Sequence, residues 1–161
     1  NLQNSKKEKN SNAINFEFAG HSETIFSVNY ERFFTKENRN LIYLLSIGIG
    51  VSPSTGDDEN KENPPGTTTL PVVGGILYGK NHFAQIKFGY TPVFSKDFVD
   101  TSLNPNVVYK KFQSDFSLSI GYRFMPKKDG IVVQGYPIFI WSNNPTEKFK
   151  INFGVSLGYA F

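Results

Sequence analysis

The chain has 161 residues, enough for one domain with its own core and too few for two comfortable ones. Phe, Tyr and Trp make up 16% of it, Cys is absent, and Lys+Arg exceed Asp+Glu by only three (17 against 14). These values exclude a disulfide framework, a thiolate metal site and the basic footprint of a nucleic-acid-binding domain. No run nears the ~20 apolar residues of a membrane-spanning helix. The mean hydropathy of −0.34 does not argue against a membrane barrel, whose apolar residues are every second one.

Residues 1–12 (NLQNSKKEKNSN) read as a flexible polar tail, and 13–161 as one body made of strands. The start at Asn1-Leu2 reads as a mature form whose signal peptide has been removed. The first strand, about Ala13–Gly20, sets Ile14, Phe16 and Phe18 against Asn15 and Glu17. The second, Thr24–Phe34, alternates Phe26, Val28 and Tyr30 with Ser27, Asn29 and Glu31, and the third, Asn40–Val51, opposes Tyr43, Leu45, Ile47 and Ile49 to Leu44, Ser46, Gly48 and Gly50. In the fourth, Thr67–Tyr78, Pro71 and Gly74-Gly75 mark a bulge or bend. The fifth, His82–Phe94, sets Ala84, Ile86, Phe88 and Tyr90 against Gln85, Lys87, Gly89 and Thr91. The sixth, ending at Phe124, opposes Phe112, Phe116, Leu118, Ile120, Tyr122 and Phe124 to Gln113, Asp115, Ser117, Ser119, Gly121 and Arg123. The seventh, Gly130–Trp141, contains Pro137, which leaves its phase open. The eighth, Phe149–Phe161, alternates without a fault: Phe149, Ile151, Phe153, Val155, Leu157, Tyr159 and Phe161 on one face, Lys150, Asn152, Gly154, Ser156, Gly158 and Ala160 on the other.

The connections after even strands are short (TKENRN, GKN, MPKKDG), while longer loops follow odd strands, at about 53–66 and 95–106. Membrane barrels have this asymmetry, with short periplasmic turns and longer surface loops. With an even strand count both termini then fall on the periplasmic side. A soluble barrel with apolar residues inside fails on volume, because an eight-stranded interior is only just wide enough to be filled by side chains. The uncharged face carries four to six large apolar residues per strand, while the other, of Gly, Ser, Ala and Asn with a few charges, suits a narrow lumen. Aromatic residues near the strand ends, Tyr30, Phe33, Phe34, Tyr78, Tyr122, Phe124, Tyr159 and Phe161 on one rim and Phe94, Tyr109 and Trp141 on the other, are placed as girdles. The expected fold is an all-β, eight-stranded antiparallel up-and-down transmembrane barrel.

The end of the chain, Phe153, Val155, Leu157, Tyr159 and Phe161, resembles the C-terminal signal by which outer-membrane proteins are recognised by the barrel assembly machinery. The body looks like small barrels of the OmpX/OmpA transmembrane type. FSVNYERFF (26–34), SIGYRFMPKKDG (119–130) and GVSLGYAF (154–161) resemble a group of mostly uncharacterised Bacteroidota outer-membrane proteins. The resemblance implies the outer membrane of a Gram-negative bacterium. Its lipid, including lipopolysaccharide, would be a partner, with the assembly machinery during insertion and possible contacts to other outer-membrane proteins.

Little in the chain invites chemistry. His21, Ser22 and Glu23 are residue types that outer-membrane lipid A deacylases use, but three consecutive residues of an extended hairpin point alternately to opposite sides. They read as a polar hairpin tip. His82 reads only as a strand start. Asp57, Asp58, Glu59 and Glu62 offer oxygen to a cation but lack the spacing of a calcium loop and include Lys61, so they read as solvated surface. Lys6-Lys7 and Lys127-Lys128 read as solvated periplasmic charge. No catalytic residue, metal site or cofactor is assigned.

The lumen-facing set is Glu17, Glu31, Lys87, Asp115, Arg123 and Lys150, with Asn15, Asn29, Gln85, Gln113 and Asn152. Ionisable groups at membrane depth face the interior and pair. Arg123 and Lys87 are each expected to touch Glu17, Glu31 or Asp115. The expected function is a non-catalytic structural or interaction barrel with a closed, polar-plugged lumen; a small solute pore and an accessory subunit of a larger transport, secretion or assembly complex stand as alternatives. Deleting Phe161, or making it charged, is predicted to reduce the heat-modifiable, folded protein recovered from outer membranes. Undiminished recovery would contradict the reading of the last strand as a signal.

Overall fold

The computed structural model describes residues 11–22, 24–35, 40–52, 66–101, 104–126, 128–143 and 148–161, with backbone only for 96–111. Eight antiparallel strands follow one another around a closed barrel: β1 Asn12–Phe18, β2 Phe26–Thr35, β3 Leu41–Ser52, β4 in two pieces (Thr67–Thr69 and Val72–Gly79), β5 His82–Thr101, β6 Asn104–Phe124, β7 Gly130–Ser142 and β8 Phe149–Ala160. Each strand pairs with its neighbours in sequence. β1 then pairs with β8, from Ala13 opposite Ala160 to Phe18 opposite Val155, so no sheet edge remains around the wall.

The interruption of β4 falls at Leu70-Pro71, because proline cannot donate to the ladder. The wall holds together there through other groups: Gly48 N–H donates to the Pro71 carbonyl at 2.9 Å and Leu70 N–H to the Pro92 carbonyl at 3.1 Å. Register against β3 is unchanged across the break, with Gly50 opposite Thr69 and Ile47 opposite Val72. Pro137 resolves the phase of β7 in the same way. Its ladder to β6 pauses between Ser119–Ile138 and Tyr122–Gly135 without a shift in register, so Val132, Gln134, Tyr136, Ile138 and Ile140 face inward and are buried.

Polarity is inverted relative to a soluble barrel. Outward positions are apolar on every strand: Phe16, Val28, Ile47, Ile76, Phe88, Phe116, Val133 and Leu157 are all exposed, between 41% and 65%. Inward positions carry Asn15, Glu31, Ser46, Gln85, Lys87, Ser119, Arg123 and Gln134, all buried. The twelve residues of β8 rise about 40 Å along the strand, which spans a belt of about 30 Å at the usual tilt of barrel strands.

Three sequence expectations are corrected. Residues 95–101 and 104–106 are not a loop: β5 and β6 continue as a two-stranded ribbon, with Lys96 opposite Lys110 and Val99 opposite Val107. Phe33 does not belong to a girdle; it has the parity of Glu31 and is 5% exposed, pointing into the barrel. Residues 19–22 are not a solvated tip, since His21 and Ser22 are buried at 2% and 0%. Ala19 takes φ 52°, a left-handed turn that redirects the chain there. Tyr109 as a girdle residue, the acidic segment Asp57–Glu62 and the tail 1–10 lie outside the described side chains.

Tyr136 is the one aromatic ring of β7 inside the barrel, and two glycines make its space. A Cβ at Gly154, its partner on β8, would lie 2.8 Å from Tyr136 Cε2, and one at Gly121 on β6 would collide with the Tyr136 Cβ. Gly154→Leu is therefore predicted to destabilise the barrel by about 1–3 kcal/mol through overpacking. The check is a urea or guanidinium titration of the folded band; an unchanged midpoint would contradict this packing.

Candidate functional site

The candidate site is the lumen itself, whose contents lie in layers along the barrel axis. Across its middle, Arg123 of β6 meets Glu31 of β2. These strands lie four apart in an eight-strand ring, so the pair spans the lumen from wall to wall. The guanidinium forks onto the carboxylate, Nη1 to Oε2 and Nη2 to Oε1, both at 2.7 Å. This bidentate geometry suits a buried ion pair because it satisfies several donors and both acceptor oxygens at once. Two of the three remaining donors are used as well: Nε to Gln85 Oε1 at 3.2 Å and Nη2 to Gln134 Oε1 at 2.7 Å. Gln134 passes the network on to Ser156 Oγ of β8 at 2.5 Å.

Lys87 departs from the expected pairing. Its Nζ donates to Gln134 Oε1 at 2.8 Å and lies 4.3 Å from the centre of the Tyr136 ring, with no described carboxylate within ion-pair distance. The amide and the ring face together accept the ammonium, while Glu31 is already held by Arg123. Glu17 binds to its own side of the barrel, accepting from Ser27 Oγ at 3.1 Å and Asn29 Nδ2 at 3.0 Å. Asp115 is buried nearer the other end, beside Thr91 and Ser142 on the adjoining strands, and is not brought to Arg123 or Lys87. Lys150 is half-buried, opposite Ile140.

Towards the terminal end the lumen is apolar. Phe33, Ile42, Leu44, Leu77, Phe83, Met125 and Val132 form a buried cluster with Ala13 and Ala160. The Phe33 ring lies 5.5 Å from the Arg123 guanidinium carbon, so the ionic layer sits directly on this cap. At the other end the β1–β2 connection enters the lumen and crosses to the far wall. His21 Nδ1 is 2.8 Å from Ser117 Oγ and Nε2 is 2.9 Å from Ser119 Oγ. Thr91 Oγ1 donates to the His21 carbonyl at 2.8 Å, and the Thr24 hydroxyl donates to Phe26 O and lies against Ser22 Oγ.

Sequence reasoning missed this second closure, because GHSET reads locally as a turn. The available signal was on the other wall, where Ser117, Ser119 and Thr91 line up inward with Gly89 and leave room for a ring. A Cβ at Gly89 would lie 2.9 Å from His21 Nδ1. His82, by contrast, sits on the outer surface, hydrogen-bonded to the Tyr122 hydroxyl.

Between the layers lies a cavity with about 10 Å³ of water-accessible volume, lined by Glu17, His21, Asn29, Glu31, Ser46, Val73, Lys87 and Gln134. That is room for about one water molecule and far from a conducting path. No group of His, Asp and Glu among the described residues is placed to hold a metal ion. His21 and its serines do not form a nucleophile–base–orienter chain among the described residues, since both ring nitrogens face hydroxyls and no described carboxylate orients the ring. Arg123→Ala is predicted to cost about 3–5 kcal/mol by stranding Glu31 in the interior, whereas replacing both partners by apolar residues of similar size recovers most of that loss. Chemical denaturation of the single and paired variants checks it; equal losses in both would contradict the buried pair.

No family model matches the sequence, and no curated protein matches it. Among solved structures, the fold is similar to the crystal structure of the N-terminal β-barrel domain of Pseudomonas aeruginosa OprF, with a TM-score of 0.52, 9% sequence identity, and 95% of this chain and 98% of that chain covered. At that identity the likeness is one of fold: an eight-stranded antiparallel barrel shared along nearly the whole of both chains.

Proposed function

We propose that this chain is a non-catalytic barrel of the outer membrane of a Gram-negative bacterium, with both termini periplasmic and a lumen closed to solutes. The observation that carries the reading is the inverted polarity: an outer wall apolar on all eight strands around an interior of hydrogen-bonded charges. An exposed apolar surface that runs around a whole molecule has no place in water. A closed barrel is also the form in which strands meet the bilayer's demand that every backbone group be paired. The likeness to the OprF barrel domain supports the same fold assignment.

The closed lumen favours a structural or interaction role over a pore. Three successive barriers oppose conduction: the apolar cap, the Arg123–Glu31 layer and the inserted His21 turn. A second reading, an accessory subunit of a larger assembly, is favoured by the β5–β6 ribbon. Among the described residues, 95–101 of β5 and 104–113 of β6 pair with each other and with no flanking strand, which presents two backbone edges beyond the paired wall. The resemblance of 26–34, 119–130 and 154–161 to Bacteroidota outer-membrane proteins points to the same setting.

Reconstitution tests the reading. The protein is expected to fold into phosphatidylcholine vesicles as a heat-modifiable species and to give no unitary currents in planar bilayers. Phe116→Arg and Leu157→Arg are expected to cost about 2–4 kcal/mol where they meet the bilayer midplane. Folding only in the absence of lipid or detergent would overturn the membrane reading; steady single-channel currents would replace the closed barrel by a pore.

A further inference from the structure

The charges of the barrel are sorted by end. Inside, the buried and half-buried ionisable residues balance: Glu17, Glu31 and Asp115 against Lys87, Arg123 and Lys150. The exposed charges of the described residues are unevenly divided between the two ends. On the end that holds Asn12 and Phe161, the described connections carry Lys80, and Lys128 beside Asp129, all exposed. Arg32 adds a third cation from the outer face of β2. At the opposite end the exposed charge of the described residues is Lys148.

The aromatic residues are sorted in the same sense. Tyr30, Tyr43, Tyr78, Tyr122 and Tyr159 all face outward near the terminal-side ends of their strands, on β2, β3, β4, β6 and β8, with exposures between 41% and 65%. The opposite rim is edged by hydroxyl-free rings in cross-strand pairs: Phe18 with Phe26, Phe94 with Phe112 and Trp141 with Phe149, each with ring centres 5.5 Å apart. On the terminal side polar atoms gather at the belt's edge instead. The Tyr30 hydroxyl and Arg32 Nη1 both donate to Asn12 Oδ1 at 2.7 Å, and His82 meets the Tyr122 hydroxyl. Arg32, Lys80 and Lys128 stand exposed around this rim, on β2, between β4 and β5, and between β6 and β7.

From this arrangement we infer that the terminal-side rim is a collar that binds the headgroup phosphates of anionic phospholipids. A tyrosine places an apolar ring in the acyl region and a hydroxyl donor at headgroup depth. Cations set just beyond that ring meet phosphate oxygens, and their attraction to an anionic leaflet is additive and screened by salt. Among the described residues the opposite rim offers one ring donor, the Trp141 indole N–H, and one exposed cation, Lys148, against five tyrosine hydroxyls and three cations on the terminal side, so the two leaflets are recognised differently. The inference rests on the membrane reading above and adds to it a lipid class and a side.

The test uses the whole chain, refolded into phosphatidylcholine vesicles with and without phosphatidylglycerol, with spin-labelled lipids reporting the motionally restricted boundary fraction. Spin-labelled phosphatidylglycerol is expected to be retained in preference to phosphatidylcholine, with the preference falling as salt rises. Arg32→Gln, Lys80→Gln and Lys128→Gln each lower that preference, by at most about five-fold apiece, while Lys148→Gln at the opposite end leaves it unchanged. Normal folding with no preference, or a preference equally sensitive to Lys148→Gln, would overturn the collar and leave the membrane reading standing. Stronger displacement by lipopolysaccharide than by unlabelled phosphatidylglycerol would overturn the assignment to phospholipid. Failure to enter either vesicle would overturn both inferences together.

Discussion

The Arg123–Glu31 bridge is the interaction on which the rest of the interior depends. It joins β6 to β2, diametrically opposed strands of an eight-strand ring, through two hydrogen bonds of 2.7 Å. A buried guanidinium costs several kcal/mol in lost hydration and is tolerated only where its donors are satisfied. Glu31, Gln85 and Gln134 supply acceptors from three different walls. Once Gln134 is fixed by Arg123, its Oε1 is also where Lys87 docks, so one amide oxygen serves two cations. The charged layer holds the walls in register with one another in a way that no single ladder does.

Closure above and below follows from the same constraint. An ionic layer open to bulk water on both sides would be screened and weak, whereas here one side is an apolar cap and the other an inserted turn. The outer wall contributes little directly in lipid, where acyl chains are as apolar as Leu157 or Phe116. What holds the barrel is the unbroken backbone ladder, which leaves no unpaired edge around the wall, together with the Arg123–Glu31–Gln134 network inside it. Even the proline break in β4 keeps to this rule, since Gly48 and Leu70 find carbonyl partners across it.

Much of this was legible in the sequence, because a strand's period of two ties each residue to a face. Glu17, Glu31, Lys87, Asp115 and Arg123 could be assigned inward by parity alone, and the outward wall by the same count. Parity would also have turned Phe33 inward, had its aromatic character at a strand end not suggested a girdle. Three features were not legible. Which acceptor Lys87 takes depends on where Gln134 and Tyr136 sit across the lumen, and Pro137 obscured the phase of that strand. The burial of His21 depends on serines 96 and 98 residues away. The extension of β5 and β6 into a ribbon falls in a stretch whose Asp, Lys, Asn and Pro read as a loop.

Inverted polarity is the central claim, and methyl NMR of the protein in lipid nanodiscs tests it most directly. The account predicts acyl-chain cross-peaks to the methyls of Ile47, Ile86, Ile120, Ile151 and Leu157, and none to Ile42, Leu77, Ile138 or Ile140 in the lumen. Cross-peaks to the second set with the first set silent would contradict it, and would make this a barrel with its apolar face inside.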